Sequence, residues 1–125
     1  MSRRTILLIE DDELIAGLVR LMVERLGHEL VWAPDGEAGK QMLETGTADI
    51  VILDILLPYL NGFEVLKSLR ADPKTAKLPV LVLTGKTAQA DIDRVVEAGA
   101  DDFLAKPFQP NELSQRLARL LRRLG

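Results

Sequence analysis

Ile50-Val51-Ile52-Leu53-Asp54-Ile55-Leu56-Leu57-Pro58 sets one carboxylate inside an otherwise unbroken aliphatic stretch. The four residues before Asp54 form a continuous apolar run, which suits a strand covered on both faces of a parallel sheet. A carboxylate in such surroundings is costly to ionise unless something compensates its charge. Working outward, the same type of run recurs at Ile6-Leu7-Leu8-Ile9 and at Val80-Leu81-Val82-Leu83. Shorter runs, Leu30-Val31-Trp32-Ala33 and Phe103-Leu104-Ala105, complete a set of five expected strands.

Helical spacing fills the gaps between the runs. Leu14, Leu18, Leu21, Met22 and Leu26 are expected on one face of a first helix, stopped by Gly27. Ala38, Met42 and Leu43 mark a second helix, and Phe63, Val65, Leu66 and Leu69 a third. Ile92, Val95 and Val96 mark a fourth, stopped by Gly99. Leu113, Leu117, Leu120, Leu121 and Leu124 mark a fifth, with Pro110 suited to its first turn. Strict alternation of strand and helix implies an α/β fold: a doubly wound parallel sheet with helices on both faces and right-handed crossovers. No repeat, low-complexity tract or linker interrupts residues 1–125, so one domain is expected, with a core over about residues 4–121.

Composition narrows the function classes. The chain has 125 residues, 47% of them apolar and 28% charged, and can bury a core without staples. It has no cysteine, which excludes a disulfide framework, thiol catalysis and cysteine metal sites. A net charge of -3 argues against a nucleic-acid-binding domain. The basic end, Arg116, Arg119, Arg122 and Arg123, reads as a solvated face or an exit toward a further segment. No segment reaches the roughly 18 apolar residues of a membrane span. Glu10, Asp11 and Asp12 follow the first apolar run at once, unlike an export signal, and a cytoplasmic location is expected.

In open parallel sheets ligands bind beyond the carboxyl ends of the strands. After the first run come Glu10, Asp11 and Asp12, after the third Asp54, after the fourth Thr84 and after the fifth Lys106. The second run ends in Ala33-Pro34, with nothing reactive. Each residue alone reads as a cap or a turn. Together they bring carboxylates, a hydroxyl and an ammonium to one edge. Clustered carboxylates repel unless a cation lies between them, and an all-oxygen site suits Mg²⁺.

Ile9-Glu10-Asp11-Asp12, Leu53-Asp54-Ile55-Leu56-Leu57-Pro58 with Asn61-Gly62, Leu83-Thr84-Gly85 and Gly99-Ala100-Asp101-Asp102-Phe103-Leu104-Ala105-Lys106-Pro107 together resemble the receiver domains of two-component response regulators. The likeness runs from about Arg4 to Leu121. Asp11 lies 43 positions before Asp54, Asp54 lies 30 before Thr84, and Thr84 lies 22 before Lys106. The resemblance implies a flavodoxin-like five-stranded sheet of order 2-1-3-4-5. It implies that Asp54 is the phosphoacceptor, and that Asp11, Asp54 and the Leu56 backbone carbonyl ligate Mg²⁺, with Glu10 acting through a water. Which acid of the run 10–12 joins Asp11, Glu10 or Asp12, stays open at this point, with Glu10 preferred and Asp12 read as the start of the first helix. Lys106 and Thr84 would hold phosphoryl oxygens, and the Lys106–Pro107 bond would be cis. Thr84 and the aromatic Phe103 would form the switch, changing the surface of helix 4, strand 5 and helix 5.

The same resemblance implies partners and leaves questions. The donor would be a histidine kinase or phosphotransfer protein, and the recipient of the signal a downstream effector protein or domain. The chain would be a switch rather than an enzyme. Leu56 and Lys86 stand where the family tunes phosphoryl lifetime. Asp101, Asp102 and Arg116 match the salt-bridged homodimer face of one DNA-binding subfamily, although Ile92 stands where that subfamily carries a basic residue. A phosphatase of the haloacid-dehalogenase type would need an acid at position 56, which is leucine. Gly85-Lys86-Thr87 lacks the first glycine of a phosphate-binding loop, and no glycine-rich turn follows the first strand. The remaining alternative is a pseudo-receiver that only docks proteins.

Overall fold

A computed structural model describes residues 3–56, 61–85 and 89–125. Leu57, Pro58, Lys86 and Thr87 lie outside the described residues. The chain runs β1 (Thr5–Ile9), α1 (Glu13–Arg25), β2 (Glu29–Ala33), α2 (Gly36–Glu44), β3 (Ile50–Asp54), α3 (Gly62–Ala71), β4 (Val80–Thr84), α4 (Gln89–Glu97), β5 (Asp102–Ala105) and α5 (Pro110–Leu124). The five strands are all parallel, in the order β2-β1-β3-β4-β5. The doubly wound sheet expected from the sequence is therefore present. The order reverses between β1 and β3, and this reversal opens the crevice into which Asp54 faces.

Side chains alternate across each strand, so the two faces of the sheet own different halves of the core. Ile6, Leu8, Ile50, Ile52, Leu81 and Leu83 pack with α1 and α5. Leu7, Ile9, Val51, Leu53, Val80 and Val82 pack with α3 and α4, with α2 residues at the margin. β3 and β4 are buried along their whole length, which explains their unbroken aliphatic runs.

Helix starts are set by capping. Asp12 Oδ1 accepts from the Leu14 and Ile15 amides at 2.8 and 3.4 Å. Asp35 and Asn61 cap α2 and α3 in the same way. At α5 the Glu112 carboxylate accepts the Gln109 amide at 2.8 Å, and Pro110 opens the helix. Gly27, at φ 86°, turns the chain out of α1.

The face assigned to α1 needs correction. Leu14 is 86% exposed and Leu21 is also exposed, while Ala16, Val19, Met22 and Val23 form the buried stripe. The α1 sequence carries apolar residues nearly all round, so spacing by threes and fours fits more than one stripe, and the sheet selects the smaller set. Met42 on α2 and Val96 on α4 are likewise exposed, and Val95 is the one buried residue of α4. Among the described residues no helix is long and apolar enough to cross a membrane.

Arg70 ties α3 to the far edge of the sheet. Its guanidinium donates to the carbonyls of Gly99 at 2.9 Å, Ala76 at 2.9 Å and Leu78 at 2.7 Å, and to Asp101 at 2.9 Å. Asp101 also accepts the Val80 amide at 2.8 Å. One side chain thus joins α3, the approach to β4 and the turn into β5.

Candidate functional site

Beyond β1 the backbone of Glu10 is gripped by β2. Its amide donates to the Ala33 carbonyl at 3.1 Å, and its carbonyl accepts the Trp32 indole N–H at 2.7 Å. The Glu10 side chain is fully buried, and its Oε2 accepts the amides of Asp11 at 3.0 Å and Asp12 at 3.4 Å. Asp12 is committed to the α1 cap. Glu10, Asp11 and Asp54 are the acids whose oxygens converge, within 4.8 Å of one another.

Asp54 ends β3 with 3% exposure. Its Oδ1 accepts the Leu56 amide at 3.0 Å, and its Oδ2 lies 3.1 Å from the Lys106 ammonium. The same ammonium lies 2.7 Å from Glu10 Oε1. β5 delivers Lys106 there, and the Lys106 amide donates to the Thr84 carbonyl at 2.7 Å. The Lys106–Pro107 peptide is cis, as expected.

Among the described residues the site is short of positive charge. Burial, with the neighbouring Asp54, pushes the Glu10 carboxyl up from 4.5 to about 7 against the opposing pull of Lys106. Burial alone would lower the Lys106 ammonium, but Glu10 and Asp54 outweigh it and hold it above its ordinary value. Among the described residues three carboxylates face one ammonium, an excess of two negative charges when all are ionised. The donors are all oxygen, so the residues present fit a hard divalent cation such as Mg²⁺.

The other expected residues sit around this cluster. Thr84 is buried at the end of β4. Leu56 is 58% exposed beside Asp54. Phe103 is partly buried against the core on the α3 and α4 side. The start of α3 comes close to the Asp54 strand end because residue 62 is glycine. A Cβ there would meet the Ile55 Cα at 2.5 Å and the Asp54 carbonyl oxygen at 2.7 Å. A cleft lined by Leu56, Asn61, Phe63, Thr84, Asp91 and Arg94 borders the site, with the Arg94 guanidinium 3.9 Å above the Phe63 ring.

Residues 6–118 match the family described as the response regulator receiver domain. The chain belongs to that family. Receiver domains are signalling switches, and this one aligns at 39% identity over 120 residues with the alkaline phosphatase synthesis transcriptional regulatory protein PhoP of Bacillus subtilis. That alignment covers 96% of this receiver and 49% of PhoP, so the chain spans about half the length of the curated relatives it matches. A putative response regulator from Chloroflexus aurantiacus superposes with a TM-score of 0.91 at 36% identity, covering 97% of this chain and 99% of that one. The receiver domain of sensor histidine kinase PA1611 from Pseudomonas aeruginosa superposes with a TM-score of 0.87 at 30% identity, covering 97% and 99%. That structure has a magnesium ion coordinated in its active-site cleft.

Two features escaped the sequence reading. Trp32 belongs to the strand judged to end in nothing reactive, yet its indole reaches the acidic turn. No spacing rule signals a side chain bonded to a backbone carbonyl on the neighbouring strand. Asp101 and Asp102 already have partners within the chain. Asp101 pairs with Arg70 and Arg123 at 2.9 and 3.0 Å, and Asp102 with Arg116 and Arg119 at 2.7 and 3.7 Å. Three of the four arginines first read as a solvated basic end are thus bonded back to β5 and the turn before it.

Proposed function

We propose that this receiver is phosphorylated on Asp54 by a histidine kinase or phosphotransfer protein, with Mg²⁺, and that the phosphoryl group switches the α4–β5–α5 surface. The observation that carries the proposal is the convergence of Glu10, Asp11 and Lys106 on the nearly buried Asp54 carboxylate. Asp11, Asp54 and the Leu56 carbonyl would hold the ion directly, and Glu10 through a water. Bound Mg²⁺ would supply neutralisation of the phosphoryl oxygens.

The chain's own residues do the rest. An Asp54 carboxylate oxygen attacks the phosphorus of a phosphohistidine. The new O–P bond gives an acyl phosphate, and the P–N bond breaks with its electron pair left on the imidazole. Lys106 already lies against Asp54 and binds one phosphoryl oxygen as a compact charge. The Thr84 hydroxyl takes another, and Phe103 turns further inward as Thr84 moves. This is a two-state element biased by a local charge change. Water later cleaves the acyl phosphate and resets the switch.

Partners follow from what surrounds the site. Leu14, 86% exposed on the first turn after the acidic run, offers an apolar rim to the incoming donor domain. The curated relatives are transcriptional regulators about twice this length, so the output passes through an effector domain or partner protein. Homodimerisation through α4–β5–α5 would have to exchange or share the ion pairs that Asp101 and Asp102 make within the chain. The cytoplasm, where histidine kinases phosphorylate their partners, is the proposed location.

Intact mass after incubation with acetyl phosphate tests the reading. A gain of one phosphoryl group that requires Mg²⁺, disappears in EDTA and is absent in Asp54→Asn supports it. Undiminished labelling of Asp54→Asn refutes the acceptor assignment. No gain from small donors or from any of a panel of histidine kinases supports the docking-only alternative.

A further inference from the structure

We propose that Trp32 is a positioning residue for the metal-binding turn, acting through the hydrogen bond from its indole N–H to the Glu10 carbonyl. The β1–β2 ladder pairs Leu8 with Trp32 and Ile9 with Ala33, then stops. In a regular parallel ladder the Glu10 carbonyl would be taken by the amide two residues beyond Ala33. Residue 34 is proline, and Asp35 has left the strand to cap α2. The Trp32 indole takes the carbonyl instead, at 2.7 Å. The ring packs against the same core as Ile15 and Phe108, so the donor is held on a rigid, partly buried platform.

The bond matters because of what hangs from Glu10. With its amide on Ala33 and its carbonyl on Trp32, the Glu10 peptide is held on both sides. Its carboxylate then receives the amides of Asp11 and Asp12 and meets Lys106. Asp11, itself exposed, has its place in the cluster set by this pinned neighbour. A free Glu10 carbonyl would let the turn rotate and disperse oxygens that now lie within 4.8 Å of one another. Groups that orient metal ligands typically change affinity by about tenfold or more when removed.

This inference rests on the Mg²⁺ reading above, and its test separates the two. The chain has a single tryptophan, so biosynthetic incorporation of β-(3-benzothienyl)alanine replaces that N–H alone with sulfur. Trp32→Phe is the second variant. Mg²⁺ affinity is measured by calorimetry, the melting temperature by circular dichroism, and Asp11 and Asp12 amide exchange by NMR without metal. The expected result is faster exchange at both amides and Mg²⁺ affinity weakened about tenfold in both variants, with the melting temperature of the benzothienyl protein near that of the parent. Parent-like affinity and exchange in the benzothienyl protein overturn the proposal, even if Trp32→Phe is impaired through lost packing. If the parent takes up no Mg²⁺, the metal reading itself fails. Amide exchange then decides alone whether Trp32 orders the turn, and unchanged exchange overturns that as well.

Discussion

Lys106 places its ammonium 2.7 Å from Glu10 Oε1, deep enough that the glutamate has no solvent exposure. The pair crosses from the end of β5 to the end of β1, over the strands that carry Asp54 and Thr84. Lys106→Ala would remove the ammonium that pairs with Glu10 and Asp54. The expected outcome is a metal-free fold weakened by about 2 kcal/mol, below the range for fully buried pairs because the lysine is partly exposed. Urea melts in EDTA measure this. Mg²⁺ binding is retained. After acetyl phosphate, NMR shifts in α4, β5 and α5 that accompany phosphorylation of the parent are absent.

Glu10 predicts a pH dependence with a definite sign. Its folded-state pKa is about 7, against 4.5 in the unfolded chain. Between those values the folded protein holds a proton that the unfolded chain releases, so metal-free stability contributed by Glu10 falls as pH rises. His28 acts in the opposite direction. Burial, with Arg4 and Arg3 nearby, lowers its pKa below 6.5, so its contribution falls as pH drops below that value. Comparing the parent with Glu10→Gln isolates the first effect. The stability advantage of Glu10→Gln in EDTA grows from pH 4.5 to pH 7, and a flat difference across that window contradicts the assignment.

Leu14 separates two routes of phosphoryl uptake. Its exposure means Leu14→Asp costs the fold little, within about 0.5 kcal/mol. Uptake from acetyl phosphate is expected to match the parent, since no site residue changes. Transfer from a phosphorylated histidine kinase slows roughly tenfold if the leucine is a docking anchor. Equal rates from both donors remove Leu14 from the docking face.

Gly62 is a tolerance limit at the end of β3. Gly62→Ala drives a Cβ into the backbone of Ile55 and the Asp54 carbonyl. Backbone on both sides leaves no flexible side chain to give way. A loss of about 2 kcal/mol is expected in a thermal or urea melt, along with weaker Mg²⁺ binding if the Leu56 carbonyl, which moves with Ile55, is the ligand proposed above.

Much of this molecule is legible in the chain. Ile50 to Leu53 and Val80 to Leu83 are uniformly aliphatic because both faces of those strands are covered, and the parallel order follows from the helices between them. The strand-end residues can be read off because a parallel sheet sends every carboxyl end to one edge. Local pattern fails where packing chooses among equivalents. Leu14 and Leu21 carry the periodicity expected of a core face, yet the sheet accepts Ala16, Val19 and Val23 instead. It fails again for Trp32, Arg70 and the Asp101–Arg123 pair, which bring together residues distant along the chain through bonds that no spacing announces.

Arg70 has a mechanical consequence. Its bond to the Gly99 carbonyl pins the chain two residues beyond Glu97, where α4 ends. Along the helix only Val95, near that same end, is buried among the described residues. α4 is therefore anchored like a cantilever, by Arg70 and Val95 at its base, with Gln89 at its other end exposed. A displacement of Thr84, as proposed above, would reach α4 from the end opposite that clamp.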